Sequence, residues 1–598
     1  MNRVSFGVAA GVVLLCSTSP AQAPRRVLDA RPGPADSVQS AGLFVAPAPR
    51  AGELFLVLDD GVHGAELWLS DGSATGTRLL IDLSPGPAST SFWSWSAAAD
   101  GLWFVVDAQA QRELWHCDGT AAGTRLVFAT AAQSLSPPSH FFADGSFLFG
   151  HGGQTWRSDR NGTQLASLGM PEGYLVAVLR GLPWIHDGMA RGLWRSDGSA
   201  GGTVQVAPNV DLAMPALGGV LAVQTSGTQS TLQVFGVTPS PQTTLNEPVF
   251  AFAMGNAIGL LGTTTLWRWD GAGPPQALRS FASLLDPTTG TTIGFRPDGR
   301  GLLFRADDGI HGFEPWWTDL SANGTRLLGD FSAGVASSTL GATYGIGSRV
   351  VFWMTQPATG SEPWSSDGTP AGTQLLGDLE PGPGSSTPDD FSGIGGLAGE
   401  RRMLLPITTS AVGNELWISD GTSAGTRLLG DLRPGPASSI QPWTFWGWTA
   451  GTRFLYAADD GVHGAEPHAV DLEGARAHLL GGCSDPAVYS VGDPVLGAAW
   501  PLRAGGLDVA AFGFALLALP ASSPLALGSG CFIQLDPASA VTIAGIFPDA
   551  GGRWTGSLTL PSTPSLRGAA LVTQAIFVPS THPLGFEMGT AWWVTLGF

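Results

Sequence analysis

The chain has 598 residues, including 84 Gly and 44 Pro, and only 13% of it is charged. That composition excludes a coiled coil, a long helical bundle and a charge-rich disordered polypeptide, and fits a β-rich protein with many tight turns. The net charge of −19 comes from 48 acidic and 29 basic residues, with no Lys among the latter, so nucleic acid and anionic membranes are not expected partners.

Met1 to Ala23 reads as a secretory signal. Arg3 gives a positive start, Phe6 to Cys16 an apolar stretch, and Ala21-Gln22-Ala23 an A-x-A ending. Cleavage is expected after Ala23, or after Ala21 because Pro24 follows the first site. Cys16 follows Leu14-Leu15 rather than the small residue a lipoprotein signal calls for, so it leaves with the signal. The apolar stretch is too short to anchor in a bilayer. A later apolar run, Leu507 to Leu527, is interrupted by Gly513, Pro520 and Pro524 and reads as two strands and a turn. The mature chain is therefore expected to be exported, to the cell surface, the extracellular space or the periplasm, without a membrane span. Residues 24–37 read as a linker.

Residues 38–481 repeat a motif. Glu66 to Leu80 reads ELWLSDGSATGTRLL, Glu113 to Leu126 ELWHCDGTAAGTRL, Glu362 to Leu376 EPWSSDGTPAGTQLL, and Glu415 to Leu429 ELWISDGTSAGTRLL. Weaker copies place the motif Asp at Asp159, Asp197, Asp270, Asp319 and Asp471. Successive motif Asp residues lie 38 to 53 positions apart, except for 73 between Asp197 and Asp270, where a degenerate copy at Leu232 to Pro239 fills the gap. That makes ten units. In the second unit, Phe92 to Ala98, Leu102 to Val106, Glu113 to Cys117 and Arg125 to Ala129 read as four short strands between turn residues. Four strands per 40 to 50 residues is the spacing of a β-propeller blade. One large ring is favoured, with two smaller rings as the alternative.

The motif has a structural reading. Trp68, Trp115, Trp364 and Trp417 supply large apolar surfaces for packing between blades. In Asp71-Gly72, Asp118-Gly119, Asp367-Gly368 and Asp420-Gly421, the Asp can hydrogen-bond its own turn and the Gly tolerates positive φ. These copies resemble the bacterial ELWxxDGTxxGT, or hyalin-like, repeat proteins. The resemblance covers about 440 residues, is poor from Asp159 to Asp270, and implies an exported, repeat-built surface or extracellular protein without a known reaction.

From Gly482 onward the motif stops. Residues 482–598 carry alternating apolar runs that read as a small antiparallel β-sandwich. It loosely resembles C-terminal domains of exported bacterial repeat proteins. The terminal WWVTLGF reads as its last strand rather than a membrane-barrel signal. In an oxidising compartment Cys483 and Cys531 are candidates for a disulfide. The loop of about 49 residues would contribute roughly 4 kcal/mol. Cys117, standing where the repeat has Ser, reads as a buried small residue.

Three units carry Asp-Asp-Gly-x-His-Gly, at Asp59 to Gly64, Asp307 to Gly312 and Asp459 to Gly464. The spacing is not that of a local zinc site, and the units are numbers 1, 7 and 10, so hairpin turns are expected. Asp82 to Pro87, Asp378 to Pro383 and Asp431 to Pro436 share Asp-Leu-x-Pro-Gly-Pro. They offer calcium oxygens, but without the dense acidic run of a calcium loop they read as rigid turns between blades. No cofactor is expected beyond this weak calcium option. No nucleophile elbow, phosphate loop or H-E-x-x-H stands out.

The favoured function is therefore a non-enzymatic exported binding or adhesion scaffold whose partner is an extracellular glycan or surface protein. The alternative is a secreted polysaccharide hydrolase or lyase using carboxylates in the propeller channel. Trp93, Trp95, Trp443, Trp446 and Trp448 are candidate sugar-stacking residues, with core packing as their other role.

Overall fold

The computed structural model describes most of residues 23–595. Residues 1–22, 39–44, 285–292, 389–401, 442–446, 482–487, 492–498, 506–511, 548–553, 561–569, 579–586 and 596–598 lie outside the description, as do short loop runs of one to four residues. The described residues form strands and turns and no helix.

Each repeat folds as one antiparallel sheet of four strands, which follow chain order in the first nine. In the second blade these are Ser91–Ala98, Gly101–Ala108, Gln111–Cys117 and Arg125–Thr130, within a few residues of the spans expected from the sequence. Ten such sheets occur. The degenerate copy at Leu232 to Pro239 supplies the third strand of blade 5, Gln229–Phe235. The first strands of neighbouring blades approach one another, as Tyr174–Leu179 does Leu212–Ala216, so they line the centre of the ring.

A blade is apolar on both faces and buries them only against its neighbours. An apolar cluster accordingly sits at each of the ten junctions. Leu54, Leu56 and Leu58 of blade 1 pack with Leu455, Ala457 and Ala469 of blade 10. The units therefore form one closed ten-bladed β-propeller.

The closure corrects two expected boundaries. Residues 24–37 are not merely a linker, because Arg25–Arg26 forms the outermost strand of blade 10, antiparallel to Ala465–Asp471, with Arg25 opposite Ala469 and Arg26 opposite His468. Conversely Arg476–Gly481 leaves the ring and pairs with Glu587–Thr595 in the C-terminal module. Leu28 to Val38 (LDARPGPADSV) is a copy of the connection at Gly430 to Ile440 (GDLRPGPASSI), so the tenth repeat is split between the two ends of the chain. Main-chain hydrogen bonds, such as Val27 N to Pro467 O (2.8 Å) and Ser37 N to Ala465 O (3.1 Å), then tie the N-terminal segment to the last blade.

The C-terminal module is an antiparallel sandwich. A five-stranded sheet, in the order Arg476–Gly481, Glu587–Thr595, Ala570–Val578, Phe512–Ala518 and Val541–Ile546, packs on a three-stranded sheet. Trp500, Leu502, Ala515, Ile546, Ala575, Phe577 and Val594 fill the space between them.

Candidate functional site

The motif residues build two structural devices before any site. In the DGT turn, Asp71 Oδ1 accepts from Ser73 N (2.8 Å) and Ser73 Oγ (2.6 Å), and Asp118, Asp367 and Asp420 repeat this with Thr120, Thr369 and Thr422. Gly72 has φ 78° and Gly119, Gly368 and Gly421 are likewise positive, where a side chain would be strained. A Cβ on Gly76 would overlap the Asp71 carboxylate, which explains the second Gly of DGxxxG. Cys117 takes the place of Ser70, Ser366 and Ser419. Its Sγ accepts from Thr124 Oγ1 (3.1 Å) and Gly119 N (3.4 Å), and burial raises its pKa.

Sequence reasoning missed the second device, the Glu of ELW and EPW. Glu66 is fully buried and accepts from Leu83 N (2.9 Å), Ser84 N (3.2 Å) and Thr90 Oγ1 (2.7 Å) of the connection to blade 2. Glu314, Glu362 and Glu415 hold the following connections in the same way. Glu466 instead receives Ala30 N (3.0 Å), Arg31 N (3.4 Å) and Ser37 Oγ (2.7 Å) from the N-terminal segment. Burial raises the pKa of all five against these hydrogen bonds, to about 7 at Glu415 and Glu466. The available signal was the co-occurrence of Glu66, Glu314, Glu362 and Glu415 with a Ser or Thr 24 positions downstream. The motif Trp residues pack on the junction with the preceding blade: Trp68 on blade 10, Trp115 on blade 1, Trp364 on blade 7 and Trp417 on blade 8.

The Asp-Asp-Gly-x-His-Gly strings form hairpin tips. Asp60 Oδ1 accepts from Val62 N and His63 N (both 2.8 Å), while Oδ2 lies 2.7 Å from His63 Nδ1. Asp308 with His311 and Asp460 with His463 repeat the geometry. Burial opposes ionisation of Asp460, but hydrogen bonds from His463 and Val462 prevail and hold its pKa at about 2. Ring closure places the copies of units 10 and 1 on adjacent blades, unlike their wide separation in sequence. Asp82, Asp378 and Asp431 each accept the N–H of Gly86, Gly382 or Gly435 within their own Pro-Gly turn. Among the described residues no group of three or more His, Cys, Asp or Glu side chains can hold a metal.

What remains chemically open is the channel wall. As described, the ten innermost strands contain no Asp or Glu. Several expose aromatic rings: Trp93 (57% exposed) and Trp95 in blade 2, Tyr174 in blade 4, Phe250 in blade 6 and Phe295 in blade 7. In Ser91–Ala98 alternate residues face solvent, which sets both indoles on the same side as Ser91 and Ala97, with Phe92, Ser94 and Ser96 on the other. The register slips between Phe92 and Ser94, a β-bulge centred on Trp93. The Arg112 guanidinium lies 3.9 Å from the centre of the Trp93 ring, and its Nε donates to Asp107 Oδ1 (3.0 Å) on the paired strand. Trp448 belongs to the innermost strand of blade 10, whereas Trp443, Trp446 and Cys483 lie outside the described residues. Cys531 opens the strand Cys531–Leu535.

No family model and no curated protein matches the chain. Among solved structures it is similar to the Dos1 propeller, with 15% identity and a TM-score of 0.30, over 54% of this chain and 92% of that one. It is also similar to a puromycin hydrolase, at 13% identity and TM-score 0.28 over 74% of this chain, and to dipeptidyl peptidase 4 of Porphyromonas gingivalis, at 10% identity and TM-score 0.34 over 66% of this chain. The matches span 61% and 60% of those last two proteins.

Proposed function

We propose that the chain is an exported, non-enzymatic binding scaffold of the ELWxxDGTxxGT repeat kind, displayed at the cell surface or released outside the cell. The observation that carries this reading is the channel wall. Its described innermost strands expose the rings of Trp93, Trp95, Tyr174, Phe250 and Phe295. Glycoside cleavage by a carboxylate pair needs two acids facing the bond. The acids of the repeat are instead spent on the repeat: Asp71 and its counterparts on their own turns, and Glu66 and its counterparts on blade connections. The signal at Met1 to Ala23 supports export, and a Cys483–Cys531 bridge is part of the proposal. The sandwich serves attachment or surface assembly.

Expression of the full chain with its leader, followed by cell fractionation and intact-mass measurement, tests this reading. The expected outcome is a product shortened by the leader, recovered outside the cytoplasm, oxidised at the two cysteines, and bound to envelope material without cleaving it. An unprocessed cytoplasmic product, or release of sugar from polysaccharide, would refute it.

A further inference from the structure

We infer that the ring's channel binds an uncharged polysaccharide, with Trp93 and Trp95 of blade 2 as its stacking platform. The inference rests on the binding-scaffold reading above and names the ligand class. A pyranose ring offers an apolar C–H face and a rim of hydroxyls. It is held by a flat aromatic ring beside hydrogen-bonding groups, and both are present. Trp93 and Trp95 stand two residues apart on one exposed side of the strand, with the Ser91 hydroxyl on that side and the Arg112–Asp107 pair beside Trp93.

One contact gives Trp93 more than the exposure expected of a stray surface residue. The Arg112 guanidinium sits on the indole and is itself fixed by Asp107, so the ring is held while more than half of it remains open. A rigid platform loses little side-chain freedom on binding, which favours affinity. The same ion pair places a donor and an acceptor at the platform's margin.

Charge selects among polymers. A net charge of −19 repels polyanionic glycans, and the carboxylate beside the platform, Asp107, is already neutralised by Arg112. Tyr174, Phe250 and Phe295 on the innermost strands of blades 4, 6 and 7 extend exposed aromatic surface around the ring, which suits a chain of sugars rather than a single one.

The test is native affinity electrophoresis of the mature full chain in gels containing dextran, laminarin, galactomannan or hydroxyethyl cellulose as uncharged probes, with alginate as the anionic one. Retardation by at least one uncharged probe is expected, with little effect of added salt. Trp93→Ala should weaken it about tenfold or more, Trp93→Phe should retain a substantial part, and Trp93→Ala/Trp95→Ala should abolish it. Both alanine variants should still fold and unfold cooperatively, with melting temperatures lowered only modestly, because Trp93 is 57% and Trp95 38% exposed. Retardation unchanged in the double variant would overturn the inference, as would retardation by alginate alone. Envelope retention without retardation by any uncharged probe would sink the inference and leave the scaffold reading standing. Absence of both would sink the two together.

Discussion

Replacing Glu466 by Ala removes the carboxylate that receives the N-terminal segment. Ala30 N and Ser37 Oγ lose acceptors at 3.0 and 2.7 Å, and Ser37 and Glu466 are both fully buried. A buried donor left unpaired costs about 1–3 kcal/mol, and two give about 2–6 kcal/mol, the lower half applying because Ser37 Oγ keeps a weak bond to Ala465 O at 3.4 Å. Arg31 N, at 3.4 Å, adds little. Relief of the buried carboxylate offsets part of the loss, because burial already pushes its pKa to about 7. The net expectation is a loss of about 2–4 kcal/mol. Glu113→Ala is the internal control. That Glu stands at the same motif position but accepts only from Trp115 Nε1 among the hydrogen bonds described, and should lose less than about 1 kcal/mol. Urea denaturation compares the two, and limited proteolysis should cut residues 24–38 first in Glu466→Ala. Equal destabilisation of the two variants, or an N-terminus no more sensitive than in the wild type, would refute the reasoning.

Other consequences follow from the same contacts. Gly76→Ala drives a methyl into the Asp71 carboxylate and should destabilise by about 1–3 kcal/mol. Gly201→Ala has open space and an ordinary φ, so denaturant midpoints should show it neutral or slightly stabilised, and the reverse order would be wrong for this turn. Glu415 and Glu466 have folded pKa values of about 7 against an ordinary 4.5, so the stability they contribute is complete at pH 4.5 and lost as pH rises through 7. His63 and His311, raised by Asp60 and Asp308, act in the same direction. The melting temperature of the wild type minus that of Glu415→Gln should fall between pH 4.5 and 7.5 and level off above, with the subtraction removing the opposite contribution of His140 and His468, whose pKa values burial lowers; a difference that rises with pH would contradict this. Cys117 should resist thiol reagents until the protein unfolds, and Cys117→Ser should change stability by less than about 0.5 kcal/mol, since Ser70 and Ser366 make the equivalent contacts.

Much of this architecture was legible because the repeat writes each local device in full. Trp68, Asp71, Gly72 and Gly76 specify their packing and turn within eleven residues, so periodicity gave blade number and strand order. The closure was harder to read. Arg25–Arg26 is too short to show alternation, and its partner is more than four hundred residues away. Arg476 to Leu480 meanwhile resembles the fourth strand that blade 10 does not take from it. The decisive clue was the stretch Asp29 to Pro34, whose kinship to Asp431 to Pro436 marks a split repeat. The Glu connections eluded sequence reading because a Glu in an alternating strand looks solvent-facing, and its burial follows only from the donors folded over it. The channel platform was half legible. Trp93 and Trp95 stand out in sequence, but their exposure and the Arg112 contact depend on which strand is innermost.

The closed ring is tested most directly by cross-linking the strand that seals it. Arg26 and His468 are opposite each other in the register of blade 10. In the double variant R26C/H468C, an intramolecular disulfide should form on oxidation and give a compact monomer that migrates faster on a non-reducing gel, a shift absent from either single variant. Failure to form it in the folded protein, or its formation only between molecules, would mean that the N-terminal strand does not complete blade 10.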